Sequence, residues 1–307
     1  MRIAITGPTG AIGSELVKLA LAEGHEVVAI ARPHSKNLGN LPKSERLTVL
    51  ESDISEYKHL TGKDFCDIFF HLAWKETFGA ERDNVDIQMM NIQYALDAVR
   101  LAKSWNAKAF IGTGSQAEYG PTDMKLNAST PAFPESGYGI AKLTTGRFCR
   151  LLCKQLGIRY NWARIVSEYG EKDPDYTLIK YLINSFLDGI PPELTKCEQV
   201  WDYTYSVDDA RALLAIGLHG KDGKTYVVGC GEGKTLRQYV EEIRNIVNPD
   251  VDIRFGAKEY FPHQPMYLCA DITELTADTG YVPKYSFAEG MRNTVNYVKE
   301  QRMGAGQ

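Results

Sequence analysis

The feature that most constrains the fold is a glycine-rich turn near the start of the chain, between an apolar strand and an amphipathic helix. Residues 3–5 have the pattern of a short buried strand, and the helical spacing of apolar residues begins at Ile12. In that context Gly7 permits a tight turn, Gly10 lets the backbone approach a pyrophosphate, and Gly13 lets the helix pack on the strand. The helix N-terminus adds N–H groups that favour an anion. The pattern predicts a dinucleotide site whose contacts include Gly7, Thr9, Gly10, Ala11 and Ile12.

Strand and helix patterns alternate through the first half of the chain. Apolar runs predict strands at 26–31, 47–50, 67–70, 109–112 and 160–163, and helical spacing predicts helices at 84–103 and 138–156. Such alternation predicts an α/β fold, with a Rossmann-like doubly wound parallel sheet. In open sheets of this kind, ligands bind beyond the carboxyl ends of the strands, so we expect the site there.

Three side chains that can handle a proton are expected at that edge. Tyr138 and Lys142 are four residues apart, so a helix places them on one face. A phenol titrates near pH ~10, and a neighbouring ammonium favours the phenolate, which suits the proton transfer that accompanies hydride transfer at a carbonyl. Ser115 follows the fifth strand, where its hydroxyl can bond the substrate oxygen beside Tyr138. Thr113 is the rival for this role, and a serine that bonds the backbone of its own turn is the other interpretation.

The end of the second strand bears on the choice of cofactor. An acidic residue at this position would bond the adenosine ribose and repel a 2′-phosphate, but Arg32 stands there. Together with Ser35 and Lys36 it could hold a phosphate. The segment therefore favours NADP(H) over NAD(H), and a solvated basic loop is the alternative.

Composition excludes several classes of function. A net charge of −4, from 35 basic and 39 acidic residues, leaves no general basic surface for nucleic acid. No apolar run is long enough to span a bilayer. The six cysteines are scattered without a CxxC pair, which indicates a reducing cytoplasm and no metal site. Asp208 and Asp209 are expected to cap a helix rather than to bind a metal.

Together, these segments resemble the extended branch of the short-chain dehydrogenase/reductase superfamily, in particular its nucleotide-sugar epimerases, dehydratases and reductases. The resemblance covers residues 2 to about 299. It rests on the glycine spacing, on Ser115 five residues before Gly120, and on the pair Tyr138 and Lys142. It implies that the cofactor is also contacted by Asp53 and Ile54 at the adenine, by Leu72 and Ala73 along the phosphates, and by Tyr138 and Lys142.

The resemblance further implies a nucleotide-sugar substrate held by a smaller C-terminal α/β lobe. Residues 1–165, with a contribution from about 201–229, are expected to form the cofactor domain, and residues 166–307 mainly the substrate lobe. Two positions depart from the family pattern, because Ser167 replaces an Asn and Trp201 replaces an Arg that often touches the diphosphate. The candidate substrate contacts are Trp74, Ser115, Gln116, Arg164, Ser167, Trp201 and Tyr203.

The residues after Ser115 narrow the reaction. Dehydratases of the family carry Asp-Glu there, and a combined epimerase/reductase carries a Cys at the second position, whereas this chain has Gln116 and Ala117. The favoured function is NADPH-dependent reduction of a nucleotide-linked 4-keto-6-deoxy sugar, in deoxysugar biosynthesis for surface polysaccharide. An NAD-dependent nucleotide-sugar 4-epimerase and a non-catalytic NADP-binding sensor are the alternatives. By analogy with the family, the helices at 84–103 and 138–156 are expected to pair in a homodimer through a four-helix bundle.

Overall fold

The structure is a computed structural model that describes residues 1–62, 64–260 and 264–305. Its strands, in chain order, are β1 (Arg2–Thr6), β2 (Glu26–Ala31), β3 (Leu47–Glu51), β4 (Ile68–His71), β5 (Ala109–Ser115), β6 (Arg159–Ile165), β7 (Glu168–Tyr169), β8 (Glu193–Leu194), β9 (Val200–Trp201), β10 (Thr204–Tyr205), β11 (Lys224–Val228), β12 (Lys234–Thr235) and β13 (Arg254–Phe255). Its α-helices are α1 (Ala11–Ala22), α2 (Val85–Ser104), α3 (Gly137–Leu156), α4 (Leu178–Leu187), α5 (Ser206–His219), α6 (Leu236–Val247), α7 (Thr273–Thr279) and α8 (Phe287–Ala305).

Seven of the described strands form one parallel sheet, in the order β11-β6-β5-β4-β1-β2-β3. Strands β1, β2 and β4 are short and apolar on both sides, as buried parallel strands are, whereas β3 at the edge of the sheet is mostly exposed. The order reverses between β1 and β4, which lie side by side with Thr6 opposite His71. A reversal of this kind opens a crevice at the carboxyl ends of the strands, where ligands bind. The predicted α/β fold with a doubly wound parallel sheet is confirmed.

Strand β5 is longer than the sequence pattern predicts. It continues to Ser115 rather than ending at Gly112, because residues 113–115 go on pairing with β6 after β4 has ended at His71. Ser115 is thus the last residue of a strand and lies opposite Ile165. Pairing with a neighbouring strand, not the local composition, fixes the position of this residue.

Helices cover both faces of the sheet. Helices α1 and α5 pack together on one face, where Leu16, Val17 and Leu213 are completely buried. Helices α2 and α3 pack side by side on the other face, which buries Val99 and Cys149. No helix formed by the described residues is both long and apolar enough to cross a membrane.

Residues that follow β6 in the chain form a separate apolar cluster. It buries Tyr169, Phe186, Tyr239 and Met291, which come from β7, α4, α6 and α8. The chain between these elements returns to the main sheet, because α5 packs on α1 and β11 pairs with β6. The chain after β6 therefore has a core of its own and also completes the sheet.

The start of α5 differs from the expectation. The helix begins at Ser206, and no side chain caps it. Asp208 instead accepts backbone N–H bonds from Lys284 and Tyr285 at 2.9 to 3.1 Å. The predicted capping role of Asp208 is wrong, since its carboxylate holds the segment that leads into α8.

Candidate active site

Two cavities lie along the carboxyl edge of the sheet and meet at the glycine turn. One has a volume of about 590 Å³ and extends from the turn towards the end of β2. The other has a volume of about 270 Å³ and extends towards the end of β5. Both are lined by Gly7, Gly10, Leu72 and Trp74. A continuous groove thus runs across the point where the strand order reverses.

The glycine turn has the shape that a pyrophosphate requires. Gly7 has a φ of +67°, and a Cβ on Gly13 would come within 2.1 Å of the Gly7 carbonyl oxygen. A Cβ on Gly10, in contrast, would meet only that oxygen, at 3.7 Å, so open space lies in front of this residue. The first turn of α1 follows directly and presents free backbone N–H groups. These residues fit a dinucleotide at the turn.

The larger cavity is lined by most of the residues expected to contact the cofactor on its adenosine side. Arg32 is exposed at its rim, and Asp53 and Ile54 lie along it. Ser35 does not line it, because its buried hydroxyl lies 3.4 Å from that of Thr9. The remaining predicted contacts on its wall are Gly7, Thr9, Gly10, Leu72 and Ala73.

Lys75 is a feature of this cavity that the sequence patterns did not reveal. Its ammonium lies 3.0 Å from the Asp53 carboxylate. Burial tends to raise the pKa of Asp53, but bonds from the Ser55 backbone N–H and from Lys75 bring the pKa below its usual range. Asp53 is therefore ionised at neutral pH and accepts hydrogen bonds within the groove.

The smaller cavity brings together the three predicted catalytic side chains, Ser115, Tyr138 and Lys142. Helix α3 is capped by Ser136, whose hydroxyl accepts the Gly139 N–H at 3.1 Å. A Cβ on Gly139 would come within 2.3 Å of the Ala117 carbonyl oxygen. Glycine at this position lets the helix approach the turn after β5, which brings Tyr138 next to Ser115.

The hydroxyls of Thr113 and Ser115 have different partners. Thr113 donates to the His71 carbonyl oxygen at 3.2 Å, inside the sheet. Ser115 accepts a bond from the Ala117 N–H at 3.2 Å, and both Thr113 and Ser115 line the smaller cavity. A hydroxyl that accepts one backbone bond still has its own proton to donate. Ser115 thus serves its own turn, as one interpretation held, and also keeps a proton for a ligand.

Burial dominates the acid–base properties of the pair on α3. It raises the pKa of the Tyr138 phenol, and the Ser115 hydroxyl and the Arg82 guanidinium, 4.8 Å from the ring, oppose the shift. This is opposite to the direction expected from the sequence. Burial also lowers the pKa of Lys142 to about 7. The Lys142 ammonium donates to the Thr113 carbonyl oxygen at 2.8 Å and lies 5.6 Å from the Tyr138 ring centre.

Glu118 is a buried anchor that the sequence analysis missed. It is completely buried in the turn after β5, and one carboxylate oxygen accepts bonds from the Ser115 N–H and the Trp162 indole N–H, each at 2.9 Å. The other oxygen accepts a bond from Arg164 Nε at 2.7 Å. Arg164, expected to bind substrate, is 7% exposed and lines neither cavity. Its guanidinium holds the turn that carries Ser115.

The other residues expected to touch substrate are distributed unevenly. Trp74 lines the smaller cavity, packs edge to face on Tyr138 at 6.0 Å, and donates to Gln88 at 3.0 Å. Ser167 accepts the indole N–H of Trp201 at 2.9 Å. Tyr203 packs in the aromatic cluster of the lobe. Gln116 lines neither cavity, and the same holds for Ser167, Trp201 and Tyr203. The smaller cavity is lined by Glu168 instead.

Residues 3–229 match the model of the NAD dependent epimerase/dehydratase family, and the chain belongs to that family. This confirms the resemblance inferred from the glycine turn, Ser115, Tyr138 and Lys142. The chain is 25% identical over 323 residues to the "Uncharacterized UDP-glucose epimerase YtcB" of Bacillus subtilis (strain 168), with 99% of this chain and 100% of the relative covered. It is 23% identical over 311 residues to the dTDP-4-dehydro-6-deoxyglucose reductase of Escherichia coli, with 97% of each covered.

Solved structures share the fold. The UDP-N-acetylglucosamine 4-epimerase from Methanobrevibacter ruminantium M1, in complex with UDP-N-acetylmuramic acid, superposes with a TM-score of 0.88 at 24% identity, covering 98% of each chain. The dTDP-glucose 4,6-dehydratase DesIV from Streptomyces venezuelae superposes with a TM-score of 0.86 at 22% identity, covering 99% of this chain and 98% of that one. Enzymes named for three different reactions are thus similarly related to this chain, so the reaction must be argued from the site.

Proposed function

We propose that this chain is an NADPH-dependent reductase of a nucleotide-linked 4-keto-6-deoxy sugar. The observation that carries the proposal is the meeting of Ser115, Tyr138 and Lys142 in one cavity at the end of a dinucleotide-shaped groove. The turn after Ser115 supplies Gln116 and Ala117, which cannot exchange protons as the Asp-Glu pair of a dehydratase does. Hydride transfer at one carbon needs only Ser115, Tyr138 and Lys142, which all line this cavity.

Each of the three residues has a separate role in the reduction. When bound, the reduced nicotinamide supplies the hydride. The Ser115 hydroxyl donates a hydrogen bond to the keto oxygen and orients it. The Tyr138 phenol, whose pKa burial raises, is protonated at neutral pH, and it gives its proton to that oxygen as negative charge develops there during hydride transfer. The neighbouring Lys142 then stabilises the phenolate until Tyr138 regains a proton.

Several finer features belong to the same proposal. Arg32 is exposed at the rim of the larger cavity and forms no ion pair within the described part of the chain, which supports a 2′-phosphate as its partner. We assign residues 1–165, with part of 201–229, to the cofactor domain and 166–307 mainly to the substrate lobe, because the lobe has its own apolar cluster.

The exposed face of α2 and α3 supports a homodimer. Met89 is 63% exposed on α2, and Phe148 and Leu151 are 49% and 57% exposed on α3. The two helices pack against each other, so these side chains belong to one paired-helix surface. A second copy that applied the same surface across a two-fold axis would cover them in a four-helix bundle.

The test is a panel of 4-keto-6-deoxy sugars linked to dTDP, GDP, CDP or UDP, with NADPH or NADH, followed at the nicotinamide absorbance. We expect at least one of these ketones to support oxidation of NADPH, and we expect NADPH to be oxidised faster than NADH. A Tyr138→Phe variant should lose about 10²-fold or more of this rate. Turnover with none of the ketones would overturn the proposal, and a Tyr138→Phe variant that kept the full biological activity of the protein would favour the sensor.

A nucleotide-sugar 4-epimerase is the second candidate, because relatives at similar identity carry that name. An epimerase of this kind retains its NAD, and it interconverts 4-hydroxyl epimers without added cofactor. Purified protein that carries bound NAD and converts UDP-glucose to UDP-galactose would favour it. An exposed Arg32 where an acidic residue suits NAD argues for the reductase.

A further inference from the structure

Glu168 is aimed into the smaller cavity by the strand that contains it. Strand β7 consists of Glu168 and Tyr169 and pairs with β10. Successive side chains of a strand point to opposite sides. Because Tyr169 is completely buried in the core of the lobe, Glu168 must point the other way, and it lies on the cavity wall with Ser115 and Tyr138.

The carboxyl group of Glu168 has no protein partner that would explain its position. Within the described residues, no other side chain forms a hydrogen bond or an ion pair with it, whereas Glu118 accepts three bonds. Lys142 lines the same cavity, but its ammonium donates to the Thr113 carbonyl oxygen. Glu168 is exposed to the open cavity, so its carboxyl group is hydrated when the cavity is empty, and a ligand that displaced this water would become its hydrogen-bond partner.

Its surroundings suit proton transfer. Although Glu168 is exposed, the cavity walls partly desolvate its carboxyl group and raise its pKa, and the positive charge of Lys142 only partly opposes the shift. A carboxylate with a raised pKa is a stronger base than one with an ordinary pKa, and perturbed groups of this kind occur often in active sites. Glu168 enters the cavity from β7, whereas Tyr138 enters it from α3. Two proton-handling groups therefore reach the cavity from different walls.

We propose that Glu168 is a second catalytic residue, which transfers a proton at the sugar carbon next to the keto carbon. This inference rests on the proposed function, because it requires a bound keto sugar. The carbon–hydrogen bond breaks and its proton passes to the Glu168 carboxylate. The bonding electrons form a carbon–carbon double bond as the carbonyl π electrons move to oxygen, which takes a proton from Tyr138. The reverse step returns a proton to carbon, so no oxidant is consumed.

In this proposal, Glu168 provides the acid–base group that is missing at positions 116 and 117. Strand β6 ends at Ile165, directly opposite Ser115 on β5, and Glu168 follows three residues later. Its carboxyl group thus approaches the substrate from β7, the short strand that follows β6 in the chain. The chain would labilise a proton beside the ketone before or during reduction, although the family's usual residues for this step are absent.

The experiment measures solvent exchange and reduction separately. A nucleotide-linked 4-keto-6-deoxy sugar is incubated in D₂O with the protein and NADP⁺, and deuterium beside the keto carbon is followed by NMR and mass spectrometry. NADPH oxidation is measured in parallel. We expect wild-type protein to catalyse exchange and Glu168→Gln to slow it by about 10²-fold or more. NADPH oxidation should fall by a clearly smaller factor. Glu135→Gln, which removes an exposed carboxylate outside both cavities, should change neither rate.

Each outcome decides the question. Wild-type protein that oxidises NADPH but exchanges no faster than the buffer overturns this inference and leaves the proposed function standing. A Glu168→Gln variant that loses exchange and oxidation by the same factor also overturns it, because Glu168 would then only hold the substrate. Partial recovery of exchange in Glu168→Asp supports it. A protein that neither exchanges nor oxidises removes the proposed function as well.

Discussion

The two halves of the groove are built in different ways. The larger cavity, which we propose as the cofactor half, is made by short continuous segments, above all the turn from Gly7 to Gly13 between β1 and α1. The smaller cavity, which we propose as the substrate half, is supported from behind by pairs of residues far apart in the chain, such as Glu118 with Arg164, or Ser167 with Trp201. A local motif determines the cofactor half, whereas the substrate half depends on tertiary contacts that can vary from one family member to another.

The largest effect is expected from breaking the buried anchor of the substrate half. In Glu118→Gln, the buried guanidinium of Arg164 loses its counter-ion, which should destabilise the protein by about 3–5 kcal/mol. Urea denaturation measures this loss. The control is Arg254→Gln, which breaks an exposed pair with Glu193 and should cost about 0–1 kcal/mol. Equal losses in the two variants would mean that Glu118 does not hold the turn with Ser115.

The cofactor half can be broken at two glycines with different results. A Cβ on Gly13 would meet the Gly7 carbonyl oxygen at 2.1 Å, so Gly13→Ala should lower stability by about 1–3 kcal/mol. A Cβ on Gly10 faces open space, so Gly10→Ala should keep the melting temperature of the free protein. It should still weaken NADPH binding by about tenfold or more, a loss of about 1.4 kcal/mol. Calorimetry of both variants checks this, and tight NADPH binding by Gly10→Ala would contradict a pyrophosphate at this turn.

The same contrast explains what the sequence could predict. The parallel sheet and the glycine turn follow from local periodicity, and Tyr138 and Lys142 share a helix face through their spacing alone. The partners of Glu118 could not be predicted, because Trp162 and Arg164 are more than forty residues away and become neighbours only when β5 pairs with β6.

Two residues show where prediction from the sequence fails. One was predicted to bind a ligand and does not line the cavity, and the other lines the cavity but was not predicted. Ser35 has the residue type and position expected for a phosphate ligand, yet its hydroxyl turns inward to Thr9. Glu168 carried no motif signal, and it faces the cavity because Tyr169 next to it is buried. In both cases the direction of the side chain is set by packing, which a spacing pattern does not record. The one hint in the sequence for Glu168 was its place next to an aromatic residue in a short strand, where neighbouring side chains point to opposite sides.

A pH titration tests how strongly the substrate half is dehydrated. The pKa of Lys142 is about 7 in the folded protein and ~10.4 in an unfolded chain. Between these values the unfolded state binds the extra proton, so this residue makes stability rise with pH, by up to about 1.4 kcal/mol per pH unit. The unfolding free energy of the wild type, minus that of Lys142→Met, should therefore become more positive from pH 7 to pH 9.5. A constant difference would mean that Lys142 is hydrated and keeps its ordinary pKa.

The smallest effect concerns Arg32, at the exposed end of the cofactor half. If its guanidinium binds the 2′-phosphate, Arg32→Ser should remove one charge-assisted bond in water, worth about 0.5–1.5 kcal/mol, and should reduce the preference for NADPH over NADH by about three- to tenfold. The ratio of kcat/KM for the two cofactors measures this preference. Lys43→Ser removes an exposed charge that lines neither cavity and should leave the ratio unchanged. If both variants shift the ratio equally, the preference comes from the general field of the basic loop rather than from a bond to Arg32, and the cofactor half would then owe its selectivity to charge alone.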